Sequence, residues 1–460
     1  MRLSFSLGKV SDDVRRMTSC IIGVDAPAGS LAHKAVSAVE MHLLQRGWHV
    51  GEALGAFSEF QNDLGLGRPA CRQTVIILEA RGLLDVRRGP GGGLFVATPT
   101  AEDVVGAMLM YLTISGASRD CILEFRLLMW RMVVEAAIDS SAGAHATAAN
   151  ANSNSNASEW GFAVDLAQRI GKPVMALAAQ IAEMLVRACE GRPAPAHDVL
   201  LDRALKARDA GQALSRLEDM ANPMDLAAPL LALEAMERSF AQCARKSPMA
   251  LAARMTWEMI CRTEKLEAEW ETADRLGYSE VVVRQARRIL QSFGVARCQR
   301  GRKGALWGPP ANSAGVIRLL APCLIASGMT MRDNAEVAHF LACSALRLVA
   351  ERAADCGRVQ TRVLSSFTSR VELIDLVQSE NQLVELAGNP LLSIMTRSLG
   401  LANLPSPETG MSPQSRIAIV ALNHRILRAV EAGDAETTRF FARAKEELIQ
   451  QHEPSYRKLA

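Results

Sequence analysis

Aromatic residues are scarce in this chain: six Trp, three Tyr and twelve Phe make up 5% of its 460 residues. A core so short of rings must be filled by Ala, Leu, Val and Met, and that mix favours helices. An excess of one charge is also missing. Lys and Arg number 52 against 49 Asp and Glu, so the net charge of +3 names no partner and matters only where it clusters. No apolar run reaches the length of about eighteen residues that a membrane helix needs. The N-terminal run Met-Arg-Leu-Ser-Phe-Ser-Leu-Gly-Lys-Val lacks the apolar core and cleavage site of a signal peptide. The ten Cys include no Cys-x-x-Cys, and the eight His are dispersed without a zinc-like pattern. The expectation is a reduced, cytoplasmic protein with mostly buried thiols and no metal or other cofactor. Catalytic signatures are absent too. There is no Gly-x-Ser-x-Gly elbow, no pair of catalytic carboxylates and no His-Glu-x-x-His. The Gly-rich run at 89–93 is not followed by Gly-Lys-Ser/Thr, so it is no phosphate cradle, and no enzyme is expected.

What the chain does have is a copy of itself. A shift of 212 positions lays residues 52–96 on 264–308 without a gap. Glu52 and Leu54 meet Glu264 and Leu266, and Leu64-Gly65 meets Leu276-Gly277. Arg72-Gln73 meets Arg284-Gln285, Ile77-Leu78 meets Ile289-Leu290, and Gly82 meets Gly294. Arg88-Gly89, Gly92 and Leu94 then meet Arg300-Gly301, Gly304 and Leu306. A repeat of about half the chain is a duplication of whole domains, not a solenoid, and the length itself calls for several domains.

Each copy reads alike. Ala35, Val39, Leu43 and Leu44 give one apolar face to a helix over 31–46, which Gly47 ends. A short helix carries Phe57, Phe60 and Leu64, Gly65 turns the chain, and a third helix runs from Pro69 to Arg81 with Val75, Ile76 and Leu78 inward. Leu83 to Val86 and Leu94 to Val96 form strands about the Gly-rich loop. Three helices and a hairpin are the order of a winged helix-turn-helix. The second copy occupies 248–309, where Trp307 is expected in the core.

At the third helix the chain resembles the GntR family of bacterial transcription factors, in its FadR-like subgroup. The stretch from Gly65-Leu66-Gly67-Arg68 through Arg72-Gln73 to Gly82-Leu83-Leu84 follows the family pattern, as does Gly277-Tyr278-Ser279-Glu280 through Arg284-Gln285 to Gly294-Val295. Gly67 stands where the family has Ser, and Glu280 where it has Arg. The family's all-helical second domain is resembled as well. Glu124-Phe125-Arg126 and Glu336-Val337-Ala338 match its start, and Gly171-Lys172-Pro173 and Gly388-Asn389-Pro390 match a later turn. Ala207-Arg208-Asp209 and Ala432-Gly433-Asp434 match its penultimate junction. The resemblance implies a mainly α protein with two winged helix-turn-helix domains, 31–98 and 248–309, each followed by an all-α helical bundle, 100–222 and 310–455. A low-complexity loop is expected at 141–158 and a linker helix at 223–247.

Charge points the same way. Residues 245–304 hold thirteen Lys/Arg against seven Asp/Glu, and 281–304 hold seven with no acid. Duplex DNA rewards such clusters through counterion release. The expected DNA-binding residues are Arg68 and Arg72 on the third helix and Arg87, Arg88 and Gly92 in the wing. Their second-copy counterparts are Arg284, Arg287 and Arg288, then Arg300, Arg302, Lys303 and Gly304. Arg72 and Arg284, on the motif in both copies, are the ones expected to read bases, and the sequence differences between copies predict unequal half-sites.

In relatives the resemblance implies a divalent metal inside the helical domain. Here the corresponding positions are Glu159, Ala163, Asp198 and Met220, then Leu376, Glu380, Asn423 and Lys445, with no His among them. The pockets are therefore expected to be metal-free. Arg126 is the candidate for an acidic small-molecule effector, with a structural ion pair as its other reading. The expected partners are double-stranded DNA and that effector, without a membrane, in a pseudo-symmetric monomer or a homodimer. The rival reading is a degenerate duplicated regulator that senses ligand or binds protein without touching DNA; Gly67, Pro69 and Glu280 speak for it.

Overall fold

The computed structural model describes residues 12–23, 30–140, 161–190, 198–220, 248–262, 268–298, 306–307, 312–352, 372–404 and 412–457. The expected loop at 141–158 and linker helix at 223–247 lie outside them. The described chain is mainly helical, with five short strands, and none of its helices is long and apolar enough to cross a membrane.

Helix α1 (Asp12–Ile22) comes first and was not anticipated. The first repeat unit follows with α2 (Leu31–Gln45), β1 (Ala53–Gly55), α3 (Phe57–Leu64), α4 (Arg68–Ala80), β2 (Leu84–Arg87) and β3 (Gly93–Val96). The strands form an antiparallel sheet in the order β1-β3-β2. Glu59 accepts a hydrogen bond from the Ala56 N–H (3.1 Å) at the start of α3, and Gly65 ends the helix at φ 62°. That left-handed turn aims α4 across α3, and only Gly takes it without strain. Pro69 sits in the first turn of α4, where its missing N–H costs nothing. The buried face of α4 is Cys71, Thr74, Val75 and Leu78 with Ile77 beside them, whereas Ile76, expected inward, is half-exposed.

The second unit repeats these devices. It contains α11 (Pro248–Arg262), α12 (Glu269–Leu276), α13 (Glu280–Ser292), β4 (Arg297–Cys298) and β5 (Leu306–Trp307). Glu271 receives the Ala268 N–H (2.8 Å), and Gly277 ends α12 at φ 68°. β4 and β5 pair Arg297 with Trp307 and Cys298 with Leu306. The first hairpin pairs Asp85 with Phe95 and Val86 with Leu94, the same register 212 positions earlier.

Between the units lie α5 (Ala101–Ser115), α6 (Asp120–Asp139), α7 (Phe162–Arg169), α8 (Pro173–Glu190), α9 (Val199–Ala207) and α10 (Ala210–Met220). After the second come α14 (Ala314–Ala326), α15 (Met331–Arg352), α16 (Leu373–Leu386), α17 (Pro390–Ala402), α18 (Pro413–Glu431) and α19 (Ala435–Arg457). The two sets pack by one scheme. α8 touches α5, α6 and α7, and α17 touches α14, α15 and α16; α10 packs on α9 and α6, and α19 on α18 and α15.

The halves meet as a two-fold axis would arrange them. α4 meets α13, α5 meets α14 and α6 meets α15, while α6 reaches α17 and, reciprocally, α15 reaches α8. The matched turns cross this boundary. Asn389 caps α17 by accepting from Leu391 and Leu392 N–H, and donates to Glu124 (2.7 Å) and to the Cys121 carbonyl (3.0 Å). Lys172, at the matching turn of the other half, pairs with Glu336, the counterpart of Glu124. One hydrophobic cluster accordingly runs from Ile21 to Ala442. α1 docks on α16 and α17, where Asn381 and Arg397 donate to the carbonyls of Cys20 (2.9 Å) and Ile22 (3.1 Å) at its C-terminal end.

Candidate nucleic-acid interface

Helix α4 is anchored by its buried stripe, so its opposite face is turned to solvent. Arg68 and Arg72, one turn apart, are exposed there, and neither makes a hydrogen bond or ion pair among the described residues. Arg88 is exposed just after β2; burial holds the Glu79 carboxyl above its ordinary range, and the nearby Arg88 partly offsets this. Arg87 is exposed but engaged: its Nε donates to Asp85 (2.8 Å), and its guanidinium lies 4.1 Å from the Phe95 ring centroid. Gly92 closes the hairpin, donating to the Gly89 carbonyl (2.9 Å). A Cβ there would sit 2.4 Å from the Arg87 carbonyl oxygen, so a larger residue would open the tip.

The second unit places its arginines differently. Arg284 is exposed, yet its Nε donates to Glu269 (2.9 Å) and its Nη2 lies 3.8 Å from Glu280. Arg287, expected to face DNA, is buried and donates to the Thr272 hydroxyl (3.3 Å). This corrects the sequence reading. On α13 the buried positions are 283, 286, 287, 289 and 290, and 287 falls within that arc and not beside 284. Arg288 is half-buried and turned toward the first unit, where it donates to Gln73 of α4. Arg300, Arg302, Lys303 and Gly304 lie outside the described residues, as does the side chain of Trp307.

Behind these surfaces the units are joined by a charged junction that sequence reasoning missed. Glu40 of α2 accepts from Arg81, the residue after α4, and from Arg318 of α14 (3.3 Å). Glu40 and Arg81 are fully enclosed. Burial pushes the Arg81 guanidinium below its ordinary range, and Glu40 opposes that shift. Arg81 also donates to the Gly315 carbonyl (3.4 Å) and lies 5.8 Å from the ring centroid of Phe293, its own counterpart in the repeat.

The helical halves show two further polar clusters. Arg126 is buried; its Nε donates to Glu183 (3.1 Å), and its guanidinium lies 4.2 Å from the Trp130 ring, whose Nε1 also donates to Glu183 (2.6 Å). Burial holds the Glu183 carboxyl above the usual range, with Arg126 and Trp130 pulling it back. Arg126 is thus paired with an internal acid, as in the structural ion pair that was its other reading. In the second half Glu380, Asn423 and Lys445 converge from α16, α18 and α19. The enclosed Lys445 ammonium donates to both Glu380 oxygens (2.8 and 2.9 Å), and Asn423 donates to Glu380 and to Ser379 (2.9 Å each). An ammonium is therefore the cation held at these positions. Of the first-half counterparts, Ala163 is buried, Asp198 caps α9 and pairs with Arg216 (2.8 Å), and Glu159 lies outside the described residues.

No family model matches the chain, and no curated protein does.

Helix α1 carried a signal that could have found it: Val14, Met17 and Ile21 share one face at helical spacing, and all pack on the core. Glu183 and Glu40 carried none. A lone acid inside an apolar helix is indistinguishable in sequence from a solvated one until its partner is known.

Proposed function

We propose that the chain is a DNA-binding transcriptional regulator in which 31–98 and 248–309 are winged helix-turn-helix domains, each followed by a helical bundle. The observation that carries this is the exposed, unengaged pair Arg68 and Arg72 on the third helix of the first unit, beside a Gly-tipped hairpin bearing Arg87 and Arg88. A guanidinium on such a helix can grip guanine O6 and N7 in the major groove, while hairpin cations meet phosphates. A small-molecule effector remains part of this reading, held by groups other than the internally paired Arg126.

The decisive experiment is a mobility shift with DNA selected from a random pool. Arg72→Ala is expected to cost about 1–3 kcal/mol of binding, roughly five- to 150-fold in Kd. Arg284→Ala is expected to cost less, because Glu269 and Glu280 already compensate its charge. Equal affinity of wild type and Arg72→Ala, or an affinity indifferent to salt, would remove DNA reading from α4.

Contact between α4 and α13 bears on the operator. Packed helices lie about 8–10 Å apart, far less than the roughly 34 Å that separates successive major-groove half-sites. The selected operator is expected to be compact, with two unequal elements closer together than one helical turn. Recovery of a perfect palindrome with half-sites a full turn apart would contradict the packing of α4 on α13.

A further inference from the structure

The two units share a backbone plan but not a surface. Positions 57, 68 and 72 of the first unit are Phe, Arg and Arg; their counterparts 269, 280 and 284 are Glu, Glu and Arg. At these three positions the first unit carries two cations and no acid, and the second carries one cation held between two acids. Ser58 and Pro69 are likewise replaced by Trp270 and Val281, whose side chains are 61% and 58% exposed. Val281 shares the Arg284 face at i, i+3 spacing, and Trp270 follows Glu269 at the start of α12. Trp270 and Val281 are each the chain neighbour of an acid in the ion-paired trio Glu269, Glu280 and Arg284.

Phosphates would be repelled here. Glu269 and Glu280 already occupy the guanidinium that would meet DNA, and among the described residues the Trp270 indole stands largely in solvent. Exposed Trp is the side chain most often found at the energetic centre of a protein interface, and acidic rims select basic partners by steering and by excluding acidic ones. We infer that α12 and α13 form a protein-docking face for a partner segment with an apolar anchor flanked by Lys or Arg, the anchor seating on Trp270 and Val281 and the cations meeting Glu269 and Glu280. The first unit then carries the stronger nucleic-acid face, and the second adds a protein-docking face beside its weaker one. Docking on this face does not depend on whether α4 meets DNA, and the assays below separate the two.

The test uses the full chain as bait for peptides displayed from a random library. The control bait is Trp270→Ser/Glu280→Arg/Val281→Pro, which installs the residues the first unit already accommodates at the same backbone positions, so the fold is retained. Peptides with a Trp, Phe or Leu anchor among Lys and Arg are expected to emerge. Measured by fluorescence anisotropy, they are expected to bind the control at least tenfold more weakly. Trp270→Ser alone is expected to leave the affinity for the selected DNA within twofold, and Glu280→Arg to raise it. Three results would overturn the inference: no basic-apolar consensus, equal peptide binding by the control, or a loss of DNA affinity in Trp270→Ser as large as in Arg72→Ala. If wild type binds the peptides but shifts no DNA, docking stands and DNA reading by α4 falls.

Discussion

Glu40→Leu is expected to destabilise the protein by about 3–5 kcal/mol, because it strands two arginines around one buried position. Glu40 and Arg81 side chains are each 2% exposed, and Arg318 is 13% exposed. Among the described residues, Arg81 has besides Glu40 the long bond to the Gly315 carbonyl and the Phe293 ring 5.8 Å away, and its Nε is buried without a hydrogen-bond partner. The guanidinium thus depends on one carboxylate for most of its compensation, and an uncompensated buried charge costs more than the pair gains. Glu40→Gln, which keeps acceptor geometry but removes the charge, should fall between wild type and Glu40→Leu. Urea denaturation followed by circular dichroism reads this as a lower midpoint. An unchanged midpoint in Glu40→Leu would mean that water reaches Arg81 and that the junction is not dry. Because Glu40 joins α2 to α14, the loss should also loosen the first unit from the second helical half, raising protease sensitivity there before the rest unfolds.

Glu380→Leu should be nearly as damaging, again about 3–5 kcal/mol, since it removes both acceptors of the enclosed Lys445 ammonium. The reverse change, Lys445→Met, should cost less, because the Glu380 side chain is 26% exposed and keeps its bond from Asn423. The double variant Glu380→Leu/Lys445→Met should recover most of the loss, as buried pairs replaced by apolar side chains of similar volume often do. Denaturation midpoints of the four proteins make a double-mutant cycle. Strict additivity, with the double variant as unstable as the sum of the two single ones, would show that Glu380 and Lys445 act independently and refute the pairing.

The repeat made the local architecture readable. Gly65 and Gly277, the apolar rhythm of Cys71 to Leu78, and the hairpin register all follow from short-range rules acting on neighbours in sequence. Helix limits came within one residue, 31–46 against Leu31–Gln45 and Pro69–Arg81 against Arg68–Ala80. Facing directions were less legible. Ile76 and Ile77 differ by one position, about 100° of rotation, and which of them is buried depends on where the neighbouring elements lie. Arg287 failed for the same reason, since an arginine in a basic run looks exposed until the helix acquires a neighbour on that side. Arg126 was legible only as a choice of two roles, and Glu183, far along the chain, decided between them.

By itself the sequence determined the duplication, the order of elements in each unit and the pair Arg68 and Arg72 on an amphipathic third helix, because each of these depends on residues within one or two turns of one another. Only the tertiary structure decided which charges remain available. Arg81, Arg126, Arg284 and Lys445 are each matched with an acid on a different element, and no periodicity encodes such a match. It also decided that the halves embrace as a two-fold pair, with Asn389 reaching Glu124 and Lys172 reaching Glu336. A hydrogen bond across some 260 residues is set by how whole helices pack, and a buried charge cannot be left without one.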